Sequence, residues 1–444
     1  MKTIFYLLGT MLCLHCSNGF ASHRYYVSPQ GDDAGTGSEK APFATLQRAQ
    51  QEVTPGDTVY IRGGIYRVSP EQLSGDVEFQ GRYYSCYTHF TRSGTPQQRI
   101  CYFAYPGEKP VFDLSQIKPA GKRVSAFWND ADWLHIKGIE VTGVQVTVTG
   151  ENTQSECFSN SGNHNIYEQL EMHDGMAIGF FSRQGGDNLI LNCDAYRNYD
   201  SVADTAGAAN GGNVDGFGSH YSTPGDGPNI FRGCRAWYNS DDGFDCIGNG
   251  EATIIENCWA FYNGYSYEGE KDAFHSRGDG NGFKCGGYHR NPKVSMLPKP
   301  VPRNIIRFCI AVGNKNKGFD ANHHAAGNFW HNNTAYRNKY NFHMDTAGKI
   351  LPTDTVLTFV PGRNHVLINN LSYKGTSSNL TRIDIPTCIL LNNDFDLEGN
   401  LTDASFISLD EKQLAAPRCP DGSLPELLFL RLKGENLQGV FAKP

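Results

Sequence analysis

The chain has 444 residues and a net charge of −7, with 39% hydrophobic and 12% aromatic residues. Its length allows two or three ordinary domains, but a solenoid or barrel uses this much chain as one unit. The acidic balance excludes nucleic acid as the main partner, and it admits an acidic polymer only where a metal or a local basic patch offsets the repulsion.

Lys2, the apolar run Ile4 to Leu14 and Gly19-Phe20-Ala21 predict a signal peptide over residues 1–21, cleaved before Ser22. The mature chain, 22–444, is then expected as a single domain, secreted or held in the periplasm or at the cell surface. Cys16 offers a site for lipid attachment, although His15 before it is not the small residue such sites use. No later apolar run approaches membrane-spanning length, so no membrane span is expected, and the protein is read as a monomer. Thirteen cysteines fall to eleven when Cys13 and Cys16 leave with the signal, an odd number that argues against a complete disulfide framework.

Residues 22–75 read as an N-terminal cap. Tyr25-Tyr26-Val27 is strand-like, Leu46, Ala49 and Val53 fall at helical spacing, and Thr58 to Ile61 predicts a strand. A short capping helix over the end of a strand ladder protects its apolar edge.

From Asn165 the sequence repeats. Asn165-Ile-Tyr, Asn188-Leu-Ile, Asn229-Ile-Phe, Thr253-Ile-Ile, Asn304-Ile-Ile and Asn328-Phe-Trp align, and five positions later stand Leu170, Cys193, Cys234, Cys258, Cys309 and Asn333. Two positions further come Ala195, Ala236, Ala260, Ala311 and Ala335, and ten after the start Asn198, Asn239, Asn263, Asn314 and Asn338. Spacings of 23, 41, 24, 51 and 24 in the cysteine column describe a coil of two dozen residues with insertions. Small or apolar residues at alternate positions suit strands facing a narrow interior, and asparagines at a fixed turn position can take left-handed conformations and bond the coils above and below. The expected fold is therefore all-β: a single-stranded right-handed parallel β-helix, its rungs about 4.8 Å apart. The cysteine column is read as buried thiols, leaving Cys86, Cys101, Cys388 and Cys419 as the candidates for bridges. Insertions at 201–213, 264–280 and 288–302 flank the motifs below, and residues from about 375 to 444 read as a packed C-terminal tail.

Asp215-Gly216-Phe217, Asp241-Asp242-Gly243-Phe244-Asp245, Asn281-Gly282-Phe283-Lys284 and Lys317-Gly318-Phe319-Asp320 align on Gly-Phe. The phenylalanines are core stacking and fix the direction of their neighbours. Asp215, Asp241, Asp242 and Asp245 are placed within about one rung of each other, where four carboxylates repel unless a cation joins them. A hard dication with oxygen ligands, calcium in an exported protein, answers this; solvated turn chemistry is the alternative for Asp-Asp-Gly taken alone. Lys284 falls one rung on, where a bound dication would lower its pKa and free an amine to act as a base. Metal and amine together suit removal of a proton alpha to a carboxylate.

These motifs, with Asn213-Val214 before the first, Ser240 before the second and Gly280 before the third, resemble polysaccharide lyase family 9, the pectate lyases and rhamnogalacturonan lyases built on a right-handed parallel β-helix. The resemblance runs over essentially the whole mature chain. It implies a calcium-dependent enzyme that cleaves acidic pectic polysaccharides, homogalacturonan or the rhamnogalacturonan backbone, by β-elimination. It also implies that Asp215, Asp241, Asp242 and Asp245 are calcium ligands and Lys284 the proton-abstracting base. Lys271, Arg277, Lys315, Lys317, Arg337 and Lys339 are expected to form a track for uronate carboxylates, with His324 as a further sugar contact. Two rivals stand beside this: a β-helix glycoside hydrolase using Asp241 and Asp242 as its acid and base, and a non-catalytic carbohydrate-binding β-helix.

Overall fold

A computed structural model describes residues 22–149, 154–202, 211–265, 278–396, 401–434 and 438–442. The signal predicted at 1–21, with Cys16, lies outside these residues, as do Lys271 and Arg277.

Each coil contributes three short strands, for example Asn229–Arg232, Arg235–Trp237 and Phe244–Cys246. Successive coils pair in parallel and in register: Ile230 with Ile254, Ala236 with Ala260, Phe244 with Phe283. Three long sheets result, of 12, 10 and 11 strands among the described residues, and together they make the expected β-helix. Strand side chains alternate between faces, so the middle residue of a three-residue strand in the second sheet points inward. That position is alanine in Ala195, Ala236, Ala260 and Ala311, all fully buried.

The ladder starts well before Asn165. Arg24–Val27 pairs with Thr58–Ile61, which pairs with Ile100–Ala104, so residues 22–75 already supply strands of the sheets. In these early coils larger apolar side chains fill the interior. Val141 and Met172 precede Ala195 in register, which hides the period from a sequence reader. The helix Leu46–Glu52 packs Leu46 and Ala49 into this end of the core. Thr45 caps it by accepting from the Arg48 N–H, and Asp33 accepts from the N–H groups of Ala44 and Thr45.

The asparagines form ladders. Nδ2 of Asn198, Asn239, Asn263 and Asn314 donates to Oδ1 of the next asparagine in its column, at 3.1, 3.1, 3.0 and 2.9 Å. The left-handed residue expected in this column falls one position earlier: Arg197, Tyr238, Tyr262 and Arg337 have φ of 53° to 56°. That preceding residue makes the turn and aims the asparagine inward, where it satisfies buried backbone groups of the neighbouring coils. The cysteine column is buried, and the Leu170 N–H donates to Cys193 Sγ at 3.4 Å. Cys86, Cys101, Cys388 and Cys419 are also unpaired thiols, so the bridges expected among them do not form.

The C-terminal tail closes over the second sheet. Phe406, Leu414, Phe429 and Leu430 bury against Trp259, Phe261, Ile310, Val312 and Tyr336. Arg418 reaches between coils to Asp194 at 2.6 Å and to the carbonyls of Cys193 and Gly233, while Arg235 bonds Asp194 and the tail carbonyls of Leu414 and Ala416. No helix among the described residues is long and apolar enough to cross a membrane.

Candidate active site

Phenylalanines stacked along the third sheet set the frame of the site. Phe217, Phe244, Phe283, Phe319 and Phe342 lie ring on ring with centroids 4.8 to 5.0 Å apart, one per rung. Because strand neighbours point to opposite faces, the residue after each phenylalanine faces outward. In register this column reads Gly218, Asp245, Lys284, Asp320 and His343. The turn before the sheet contributes Asp215, Asp241 and Asp242, all buried.

Facing oxygens of Asp215, Asp241 and Asp242 lie within 4.8 Å of one another. Backbone donors hold the carboxylates in place: Asp242 N–H to Asp215 Oδ1 at 3.0 Å, Asn213 N–H to Asp241 Oδ2 at 2.6 Å, and Asp279 N–H to Asp241 Oδ1 at 2.6 Å. Asn281 gives both its backbone and side-chain N–H to Asp242 Oδ1, at 2.7 and 2.8 Å. Asp242 Oδ2 and Asp245 Oδ1 are buried and accept no hydrogen bond from the described residues. Burial pushes the carboxyls of Asp215 and Asp242 well above their usual range, repulsion from neighbouring carboxylates adds to it, and Lys284 opposes it at Asp242. Burial also raises Asp241, against the pull of Lys284. An all-oxygen donor set with the buried Asp245 Oδ1 unpaired among the described residues, and with several carboxylates crowded together, fits a hard dication.

Lys284 Nζ sits 3.1 Å from Asp242 Oδ2 and 3.2 Å from Asp245 Oδ2, with 18% of its side chain exposed. Burial pulls its ammonium down, but the four carboxylates of Asp245, Asp242, Asp241 and Asp215 outweigh that and leave it well above its usual value. Its ammonium thus supplies part of the countercharge of the cage.

The residues of the expected basic track divide. Lys315 Nζ donates to the Gly278 carbonyl at 2.8 Å and feels Asp241, Asp279 and Asp242. Lys317 is bound to Asp320 at 2.8 Å. Lys339 is exposed beside them, 5.4 Å from the Tyr340 ring centre. Arg337 instead turns to the tail and pairs with Glu411 at 2.9 Å. His324 is 2% exposed, with Nε2 against the Pro302 carbonyl at 2.7 Å and Nδ1 accepting from the Gly287 N–H at 3.3 Å. Both ring nitrogens are therefore occupied by the backbone, and the sugar contact expected of His324 is absent from this arrangement.

Sequence reading missed several neighbours. His220 is buried with Nε2 3.8 Å from Asp245 Oδ2, and burial lowers its pKa to about 4, so the ring is neutral. Its place, three residues after Phe217, carries no motif of its own. His343 follows Phe342 as Asp320 follows Phe319, but Asn341 replaces the glycine that marks the other copies. Asp320 is held between Lys317 and His343 Nδ1, the latter at 3.2 Å.

The model of the Pel9A-like right-handed β-helix region matches residues 25–358. A solved rhamnogalacturonan lyase superposes with a TM-score of 0.87 at 41% identity, covering 95% of this chain and 100% of that one. The pectate lyase Pel9A superposes with a TM-score of 0.71 at 29% identity, covering 96% and 98%. Pectate lyase L of Dickeya chrysanthemi is 32% identical over 96% of this chain and 89% of that protein.

Proposed function

The chain belongs to the Pel9A-like β-helix family and is a pectic polysaccharide lyase, and from that premise we propose that it is calcium-dependent, with Asp215, Asp241, Asp242 and Asp245 as its cation cage and Lys284 as the base. The observation that carries this reading is the placement of one lysine amine 3.1 and 3.2 Å from two carboxylates of a buried acidic cage.

Bound in the cage, calcium would attract the substrate's uronate carboxylate and stabilise the charge that builds on it as the alpha proton leaves. The protein residues do the rest. Lys284 lies outward on the rung after Asp245, and an ion in the cage would offset the carboxylate charge that otherwise keeps its amine protonated. Neutral Nζ takes the C5 proton of the uronate, the electron pair forms the C4–C5 double bond, and the C4 oxygen leaves with the rest of the chain, taking a proton from water. The stacked phenylalanines behind Asp245 and Lys284 keep the two side chains at a one-rung separation through the cycle. Lys315 and Lys339 stand beside the cage as contacts for further uronate carboxylates. The leader at 1–21 would deliver the protein outside the cytoplasm, where calcium is plentiful.

The greater likeness to the rhamnogalacturonan lyase favours the rhamnogalacturonan backbone over homogalacturonan as substrate. The test is incubation with each polymer, with and without a chelator, following ultraviolet absorbance of the new conjugated double bond. Reducing ends without absorbance point to a hydrolase, and binding without either product points to a carbohydrate-binding scaffold.

A further inference from the structure

Most described aromatic side chains are buried or half-buried. Among the described phenylalanines, tyrosines and tryptophans, Tyr83 and Tyr221 are the most exposed, at 55% and 44%. Tyr83 lies on the antiparallel hairpin formed by Gly75–Phe79 and Arg82–Phe90. Tyr221 lies beside the cage.

Tyr221 follows His220 and meets its ring edge-on, with centroids 5.8 Å apart. Its N–H donates to the Ile247 carbonyl at 3.4 Å, which sets it over the coil that carries Asp245. The ring lies on Gly248: a Cβ there would come within 2.8 Å of two ring carbons, so only glycine leaves the space the ring occupies. Its neighbour His220 lies with Nε2 3.8 Å from Asp245 Oδ2, which puts the tyrosine beside that carboxylate. In the next coil glycines stand at the matching positions. The Gly248 N–H donates to the Gly287 carbonyl, and Gly286 and Gly287 both have positive φ with no room for a Cβ against His324 and Asn322. Beside Asp245 and Lys284 there is thus a glycine floor bounded by one exposed aromatic ring.

A pyranose presents an apolar C–H face that stacks on an aromatic ring. The negative face of that ring, with Asp245 beside it, disfavours a second carboxylate in the same place. We propose that Tyr221 is the platform for the neutral sugar ring adjoining the uronate held at the cage, so that it selects polymers in which uronates alternate with neutral sugars. This rests on the lyase reading above and names the neighbour that the site accepts.

The test compares wild type, Tyr221→Ala and Tyr221→Phe on the alternating rhamnogalacturonan backbone and on polygalacturonate, by steady-state absorbance. On the alternating polymer Tyr221→Ala raises KM by about tenfold with kcat within about twofold, the signature of lost binding that is equal in ground and transition states. Tyr221→Phe keeps the ring and stays within about twofold of wild type, and KM for polygalacturonate changes by less than about twofold in either variant. An unchanged KM in Tyr221→Ala, equal rises on both polymers, or a Phe variant as impaired as the Ala variant overturns the proposal. Wild-type turnover of polygalacturonate alone overturns it while leaving the lyase reading intact; wild-type turnover of neither polymer removes both.

Discussion

Lys284 Nζ lies 3.1 Å from Asp242 Oδ2, an oxygen that accepts no hydrogen bond from the described residues, so the amine occupies part of the electrostatic position that a cation would take. Base and metal therefore compete for the same negative charge. Removing the amine should sharpen the cage: Lys284→Ala is expected to bind calcium more tightly than wild type by isothermal titration calorimetry. The same variant loses turnover by about 10²-fold or more, the usual range for a lost general base. Weaker calcium binding in Lys284→Ala would show that the lysine supports the cage instead of competing with it.

The same competition links calcium to pH. Asp215, Asp241 and Asp242 have folded-state pKa values raised above their unfolded ones, so without metal their contribution to stability falls as pH climbs past the unfolded carboxyl range of about 4. Lys284 is raised as well, and its stabilising contribution is complete at neutral pH and lost only above its ordinary lysine range. Calcium needs the carboxylates ionised, so its stabilisation should be large at pH 8, on the order of 2.7 kcal/mol at a hundredfold excess over Kd, and should fade toward pH 4. Thermal melts with calcium and with chelator across this range check it; a calcium shift that does not vary with pH contradicts it.

The tail clamp gives a prediction separate from catalysis. Asp194 is 5% exposed and is gripped by both Arg235 and Arg418. Arg418→Ala leaves a buried carboxylate with half its partners and frees the three carbonyls it caps, those of Cys193, Gly233 and Gly422, for a loss of roughly 3 kcal/mol. The expected outcome is a lower Tm and faster proteolysis within 403–432, with kcat unchanged at assay temperatures well below the melt.

The asparagine ladder should be equally sensitive. Asn263 accepts from the Asn239 side chain and donates to both Asn314 Oδ1 and the Ala236 carbonyl, all buried. Asn263→Ala strands several polar groups at about 1–3 kcal/mol each, whereas Asn198→Ala, at the ladder's N-terminal end, should cost less. Denaturant midpoints of the two variants test the order.

Sequence alone gave away the parts of this protein that recur. The alanine and asparagine columns repeat because a narrow interior accepts little else, and the Gly-Phe copies put Asp215, Asp242, Asp245 and Lys284 on neighbouring rungs. The earlier coils stayed hidden because Val141 and Met172 fill the same position as Ala195 with larger side chains. His220 and Tyr221 lack a motif because they belong to the site only through the stacking of coils. The directions of Arg337 and His324 depend on the tail and on the Tyr288–Pro302 segment, so spacing along the ladder could not predict them.

On the reading proposed above, Lys284 beside a calcium cage removes the proton that starts elimination. The most direct measurement is absorbance of the unsaturated product from the rhamnogalacturonan backbone, for wild type with calcium, wild type with chelator, and Lys284→Ala with calcium. Product is expected only in the first. Substantial absorbance from Lys284→Ala, or from wild type in chelator, would contradict it.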